Sequence, residues 1–393
     1  ICTPRGMNKD IARVIHRSAT RPHHLYWLAV ALLFCIACTM HPREGQSGEL
    51  DSSASDTVRR EARLVFAGDL MQHMPQVRAA QRPNGRFDYS ESFRYVKPLF
   101  EQADYAILNF ETTLTPTTDY HGYPTFRSPG AVADALRDIG IDAVVFANNH
   151  ICDNGRTGIE YTTRRFDSLG IAHTGAFVDS SRIRREHPLL FQAGGLRFAL
   201  FNYTYDTNGM PIPKGMIVNL IDTNAIRRDL SQVNRKHIDC VIVFFHWGIE
   251  YARRPNDEQR RLAALCHRLG AEIVIGSHPH VIQPIEAKRD NEGVVRSVTV
   301  YSLGNLVSNQ KERYRNGGLI VTLDIKKERN GALRIAPAYT PGWVCRPGGY
   351  RIIPPSAADS IALPADLRAT CTQFFEDTRA LLEGNKIFEE RVR

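Results

Sequence analysis

The chain has 393 residues, 43% hydrophobic and 23% charged, with a formal net charge of +8. This is ordinary globular composition with material for a sizeable core, and the length suits one large α/β domain plus an appendage. Residues 1–37 hold five Lys/Arg and one Asp, half of the net charge; the remainder is mildly basic, no Lys/Arg run is interleaved with aromatics, and no nucleic-acid partner is expected.

Reading from Met7, the first plausible initiator, the chain carries Lys9, Arg13, Arg17 and Arg21 and then LYWLAVALLFCIACTM. The apolar run of about a dozen residues has the length of a signal-peptide core and is too short for a spanning helix. It ends in Cys35-Ile36-Ala37-Cys38, which resembles the bacterial lipoprotein cleavage box, with Cys38 as the lipidated residue and Cys35 where Leu is usual. The expectation is a signal peptide over 1–38 and attachment of an extracytoplasmic protein to a membrane of the cell envelope through a lipid. An uncleaved N-terminal anchor is the alternative. Residues 39–62, rich in Ser, Gly and Asp, are expected to be a flexible linker.

From residue 63 strand-like and helix-like segments alternate. Strands are expected over 63–67, 104–109, 142–147, 197–203, 240–245, 272–276 and 297–302. Several are continuous apolar runs, which suits strands buried on both faces. Helical patterns cover 131–140 and 160–170, each ending in a glycine suited to a C-cap, and 257–270. Repeated strand–helix–strand units imply an α/β domain. After Leu303 the pattern changes to a hairpin turning at Arg329-Asn330-Gly331, and 365–391 reads as a closing helix. The five cysteines beyond the leader, Cys152, Cys240, Cys266, Cys345 and Cys371, show no CxxC spacing, which excludes a zinc ribbon. Cys240 and Cys266 read as small core residues; a disulfide such as Cys345–Cys371 stays open.

The apolar runs share an unusual feature: five of them end in residues able to bind a metal. RLVFAG is followed by Asp69, YAIL by Asn109 and Glu111, VVFA by Asn148, Asn149 and His150, VIVFF by His246, and EIVIGS by His278 and His280. Ligands in open α/β sheets bind beyond the carboxyl ends of strands. Each residue also has a plainer reading. Asp69 would cap the next segment; Glu111 would pair with an arginine such as Arg127; Asn148 to His150 would form an Asx-turn with a satisfied histidine; His246 would be structural. On the functional reading, Asn149 supplies an amide oxygen, His150 serves as acid or base, Glu250 is a carboxylate that orients a histidine, and the His278/His280 pair converges on one metal. Ser277 and Pro279 would face away. Asn305, in YSLGN, reads as part of a tight turn that can also contact substrate. Cys152 has no thiolate partner pattern. There is no serine elbow, Walker loop or GxGxxG motif. What remains is a His/Asn/carboxylate site for one or two ions of Zn, Mn or Fe.

The ordered motifs GDLM, NFETTL, FANNHICDNG, HTGAF, HWGIEY, GSHPHVIQP and YSLGN, over residues 63–310, resemble the CapA family of bacterial poly-γ-glutamate capsule synthesis proteins. The resemblance implies a calcineurin-like metallophosphoesterase fold, a two-sheet sandwich flanked by helices (α/β/β/α), which 311–393 would complete with the hairpin and closing helix. It implies Asp69, Glu111, Asn149, His246, His278 and His280 as metal ligands and His150 as the acid that protonates a leaving group. Asp69 and Glu250 are further catalytic candidates, and Asn109, Asn148 and Asn305 candidates for substrate contact. Met71 stands where a phosphoesterase has a histidine, and Glu111 where it has aspartate. The implied partners are an anionic polymer such as poly-γ-glutamate and other capsule-synthesis subunits. The implied activity is metal-dependent hydrolysis or transfer, on phosphoester or γ-glutamyl amide bonds; a non-catalytic polymer-binding or export subunit and a general metallophosphoesterase are the alternatives.

Overall fold

The strand Cys240–His246 shows how a continuous apolar run is used. Successive side chains point to opposite faces. Ile242 and Phe244 therefore enter one core, while Val241, Val243 and Phe245 enter another with Leu262 and Cys266 of the helix Asp257–Arg268. The strand Glu61–Leu70 divides in the same way: Leu64 and Phe66 join the first core, and Val65 and Ala67 join a third with Leu136 and Phe166 of the helices Ala131–Asp138 and Gly155–Leu169. Burying such a side chain is worth roughly 1.5–3 kcal/mol, so both faces of each sheet must be covered. The result is helices, sheet, sheet, helices, the expected α/β/β/α sandwich.

The computed structural model describes residues 60–384 and 387–391; the signal peptide, Cys38 and nearly all of the linker lie outside them. The first sheet runs Arg351–Ile353, Leu333–Cys345, Gly317–Lys327, Glu61–Leu70, Tyr105–Phe110, Ala143–Val145, Ala172–Thr174. The second runs Ile285–Arg289, Val295–Val300, Ile273–Ser277, Cys240–His246, Leu196–Thr204, Leu189–Ala193. The central strands of both sheets pair in parallel, so their carboxyl ends share an edge. In register there, Asp69 faces Asn109 on one side and Asn305 on the other, and His246 faces Ser277.

Beyond Leu303 the hairpin Gly317–Lys327 and Leu333–Cys345 extends the first sheet, with Gly331 at φ +87° in its turn. The closing helix is shorter than expected. It spans Ala365–Leu382 and stops short of Gly384, and Glu389–Glu390 then forms a strand beside Ala338 and Tyr339. At Glu389 and Glu390 backbone pairing to the sheet replaces the helix expected there. All five cysteines among the described residues are buried free thiols, Cys345 and Cys371 included. No helix among the described residues is long and apolar enough to cross a membrane.

Gly68 sets the aim of the site. A Cβ there would lie 1.9 Å from the Gly304 carbonyl oxygen and 2.9 Å from Leu303 Cβ. Next to it the pairing with Tyr105–Phe110 slips between Ala67 and Asp69, a bulge that re-aims the residue after it. Gly68→Ala must push the Gly304 backbone away. The expected loss is about 3 kcal/mol of stability, at the upper end for overpacking, read as a lower denaturant midpoint at unchanged m-value. A midpoint within error of wild type would show that the edge near Gly304 yields freely.

Candidate metal centre

Five strand ends converge here. Asp69 is fully buried, and its Oδ1 accepts a hydrogen bond from Asn109 Nδ2 at 2.8 Å. Its Oδ2 accepts the His278 backbone N–H at 3.3 Å and lies 3.1 Å from His280 Nδ1. Glu111 is also fully buried, yet among the described residues no N–H or O–H donor reaches either of its carboxylate oxygens. Its Oε1 lies 3.5 Å from His246 Nε2 and 3.8 Å from His280 Nε2. Arg127, the alternative partner, is engaged with Asp119 at 2.8 Å. A buried carboxylate without donors is strongly disfavoured unless a cation compensates it.

The ligand atoms fall into two groups that share Glu111: Glu111, His246 and His278, and Asp69, Glu111 and His280, each with its donor atoms within 4.8 Å of one another. Asn149 Oδ1 adds an amide oxygen 2.9 Å from His246 Nε2. His278 Nδ1 is buried without a partner among the described residues. These imidazole and hard-oxygen donors fit divalent Zn, Mn or Fe, and the orphaned atoms of Glu111 and His278 are what such an ion would satisfy.

The electrostatics agree. Burial pushes His246 down to about 3 and His278 well below the usual imidazole value, keeping both neutral with a lone pair to donate. Burial opposes charge on His280 too, but the carboxylates of Glu111 and Asp69 overcome it and raise the ring to about 9. Burial, reinforced by Asp69, pushes Glu111 well above the carboxylate range. Asp69 is held low against its burial by His280, His246 and Asn109. The imidazolium of His280 thus supplies charge that a bound cation would also supply. His278 and His280 have φ of +97° and +57°, left-handed conformations that cost about 1–3 kcal/mol each and gather at functional sites.

His246 is oriented from behind: its Nδ1 lies 3.0 Å from Ser277 Oγ and 3.2 Å from Asn109 Nδ2, which turns Nε2 toward Asn149 and Glu111 in the site. Ser277 was expected to face away, and a period-two pattern cannot reveal this contact because it is made across strands. Asp153 does the same for His150. Its Oδ2 accepts from His150 Nδ1 at 2.7 Å and from the Phe126 N–H at 2.6 Å. The His150 N–H donates to Asn148 Oδ1 at 3.1 Å, and the Phe126 ring packs edge-on at 4.6 Å. The i, i+3 spacing of His150 and Asp153 was the available sequence signal. Burial pushes the neighbouring Cys152 thiol up to about 11, away from nucleophilic chemistry.

The structure places the other candidates differently. Glu250 is exposed at the mouth of the site, and among the described residues no hydrogen bond joins it to a histidine. Asn109, Asn148 and Asn305 are fully buried behind the ligand groups. Asn148 Nδ2 donates to the Phe110 carbonyl at 2.8 Å, and Asn305 Nδ2 donates to the Arg315 carbonyl at 2.8 Å and the His280 carbonyl at 3.3 Å. Their amides hold strand ends together. Sequence reasoning passed over Tyr205, whose ring lies 4.5 Å from that of His278, and His73, which burial pushes down to about 4. Met71 and His73 both line the cleft.

The profile of a family described as bacterial capsule synthesis protein PGA_cap matches residues 63–310. The PGA biosynthesis protein CapA of Bacillus subtilis (strain 168) is 29% identical over 69% of this chain and 70% of its own length. The capsule biosynthesis protein CapA of Bacillus anthracis is 24% identical over 70% of this chain and 66% of its own. Among solved structures, the Haemophilus influenzae NAD nucleotidase aligns with 85% of this chain and 57% of its own length, at 14% identity and a TM-score of 0.43.

Proposed function

The chain belongs to the bacterial PGA_cap capsule synthesis family, and on that premise we propose that it is an envelope-tethered protein of poly-γ-glutamate capsule biosynthesis or processing with a divalent-metal, hydrolase-type site. The observation that carries this reading is Glu111: a fully buried carboxylate with both oxygens orphaned, placed between two groups of ligand atoms. Tethering rests on the leader and Cys38, and the partners on this reading are the anionic polymer and other capsule-synthesis subunits.

A divalent ion held there by Asp69, Glu111, Asn149, His246, His278 and His280 would supply Lewis acidity for an acyl or phosphoryl oxygen and lower the pKa of water toward neutrality. The chain's own residues do the rest. Asp69, Glu111 and His280 on one side, and Glu111, Asn149, His246 and His278 on the other, fix where charge is stabilised. Asn109 and Ser277 hold Asp69 and His246 in place. His150, 3% exposed and lining the cleft, is oriented by Asp153 to exchange a proton with a leaving group.

One observation favours a binding-only site. Met71 lines the cleft at the position where the phosphoesterase resemblance expects a histidine, and the Asp69 group offers three ligating side chains, Asp69, Glu111 and His280. The test is direct. The purified full chain, supplied with Mn or Zn, is incubated with poly-γ-glutamate and, separately, with an aryl phosphodiester. Metal-dependent shortening of the polymer is expected. Phenolate release without polymer cleavage would make it a general metallophosphoesterase. Bound metal with neither reaction would overturn the hydrolase reading and leave a polymer-binding subunit.

A further inference from the structure

The cleft above the metal centre has a volume of about 510 Å³ and two kinds of wall. Met71, His150 and His280 form a buried floor. The outer wall carries Lys311, Arg315 and Arg346. All three lie beyond residue 310, where the family match ends. This wall belongs to the part of the chain the family match does not describe.

We infer that Lys311, Arg315 and Arg346 form an anion-recognition wall, which selects a substrate carrying a carboxylate beside the group presented to the metal centre. The inference rests on the reading of this cleft as the substrate site. Arg315 is the fixed member. Its guanidinium carbon lies 3.9 Å from the centre of the Tyr251 ring, and its carbonyl accepts from Asn305, which also donates to the His280 carbonyl. Tyr251, at φ +65°, donates its backbone N–H to the carbonyl of Pro279 at 2.8 Å, between His278 and His280. Arg315 is therefore built onto the same loop that supplies two metal ligands.

The rest of the wall is also pinned. Gln310 Oε1 accepts from Asn305 at 3.0 Å, the Asn309 N–H reaches His73 Nδ1 at 3.4 Å, and Tyr350 donates to Asn309 Oδ1 at 2.7 Å. Lys311 and Arg346 stand exposed on this frame, and among the described residues neither is in an ion pair. Two acidic groups share the cleft. Glu312 lies 3.6 Å from Arg315 Nη1, and Glu250, the sequence neighbour of Tyr251, also lines the cleft. Three cations against these two carboxylates leave the wall one positive charge in excess; Glu312 attracts Lys311 as well as Arg315, and Arg346 is the cation outside these contacts. An excess charge on a preorganised surface attracts an anion without reorganisation of the protein. Guanidinium forks match carboxylates in two-point contacts. The cleft is far larger than one small anion, and Tyr123, 75% exposed at its mouth, offers an apolar face for the methylene stem of a chain. An oligomer with a carboxylate on every unit meets all of these features at once.

The test is equilibrium binding of a fluorescent γ-glutamate oligomer to the metal-loaded full chain, wild type against Lys311→Ala/Arg346→Ala. Both side chains are exposed, so the fold should tolerate their loss, and metal content by mass spectrometry checks the centre. Expected is at least ~10-fold weaker binding, with a shallower dependence on salt and unchanged metal content; Lys311→Arg should bind as wild type. Wild-type binding that the double variant retains overturns the wall and leaves the substrate-site reading standing. No oligomer binding by metal-loaded wild type overturns both. A polyphosphate of equal charge that binds more tightly through the same two residues overturns the carboxylate class.

Discussion

Glu111→Gln is expected to abolish metal loading while leaving the metal-free protein at least as stable as wild type. The two halves of this result come from one cause. In the metal-free protein the Glu111 carboxyl is fully buried, reached by no donor, and pushed well above the carboxylate range by burial and by Asp69. Replacing it with a neutral amide of the same shape removes the cost of holding the carboxyl protonated in an interior that cannot solvate its charge, so a gain of up to ~2 kcal/mol is expected rather than the loss usual for core substitutions. With metal present the sign reverses. Glu111 is the only residue in both ligand groups, and removing it should weaken binding by ~100-fold or more, beyond the effect of an outer partner. At a metal concentration near 100 times the wild-type dissociation constant, wild type gains about 2.7 kcal/mol from binding. The variant should gain almost nothing. Thermal melts with and without Mn or Zn, together with metal content after dialysis, read both halves. A metal-free variant several kcal/mol less stable than wild type would mean that protein contacts already satisfy Glu111, and the metal centre would fall.

This dependence on an orphaned carboxylate explains how much of the site could be read from the chain. The central strands were legible because their apolar runs are continuous, and such runs survive only when both faces are buried, as Ile242 and Val243 are in separate cores. The polar residues ending those runs were legible for the converse reason: nothing in packing calls for His246 or Glu111 at a position that is fully buried. What could not be read is set by pairing across long sequence distances. Ser277 meets His246 only because the two strands are in register. Asn305 was legible as a candidate, but not its place: its strand pairs beside Asp69 across more than two hundred residues of chain, where its amide holds the His280 and Arg315 carbonyls. The edge strands Leu189–Ala193 and Ile285–Arg289, with mixed exposure, carry weaker patterns and were missed. Glu250 illustrates the opposite error. Closeness to a motif suggested a partner for a histidine, but that role falls to side chains whose backbones are already fixed, Asp153 and Ser277.

The second large effect is expected at His150, and Asp153 allows its cause to be separated from simple loss of a side chain. Asp153 Oδ2 accepts from both the Phe126 N–H and His150 Nδ1. Because the carboxylate only accepts, Nδ1 must carry the proton, and Nε2 is left facing the cleft. In Asp153→Asn the amide oxygen is claimed by the Phe126 N–H, so the amide N–H₂ turns to His150. Nδ1 must then accept, and the proton moves to Nε2, the wrong tautomer for taking one up there. His150→Gln is expected to lower the metal-dependent turnover by ~10²–10⁴ at full metal occupancy. Asp153→Asn should lower it by a comparable factor, with the fold intact and the ligands untouched. The ¹⁵N shifts of His150 should exchange their protonated and unprotonated signatures between wild type and Asp153→Asn, an effect that exists whatever the substrate proves to be. Turnover that survives both substitutions would remove His150 from the chemistry and leave the metal ligands as the whole catalytic apparatus. A tautomer that does not switch would show that the Phe126 N–H can find another acceptor, and that Asp153 fixes the ring by position rather than by proton placement.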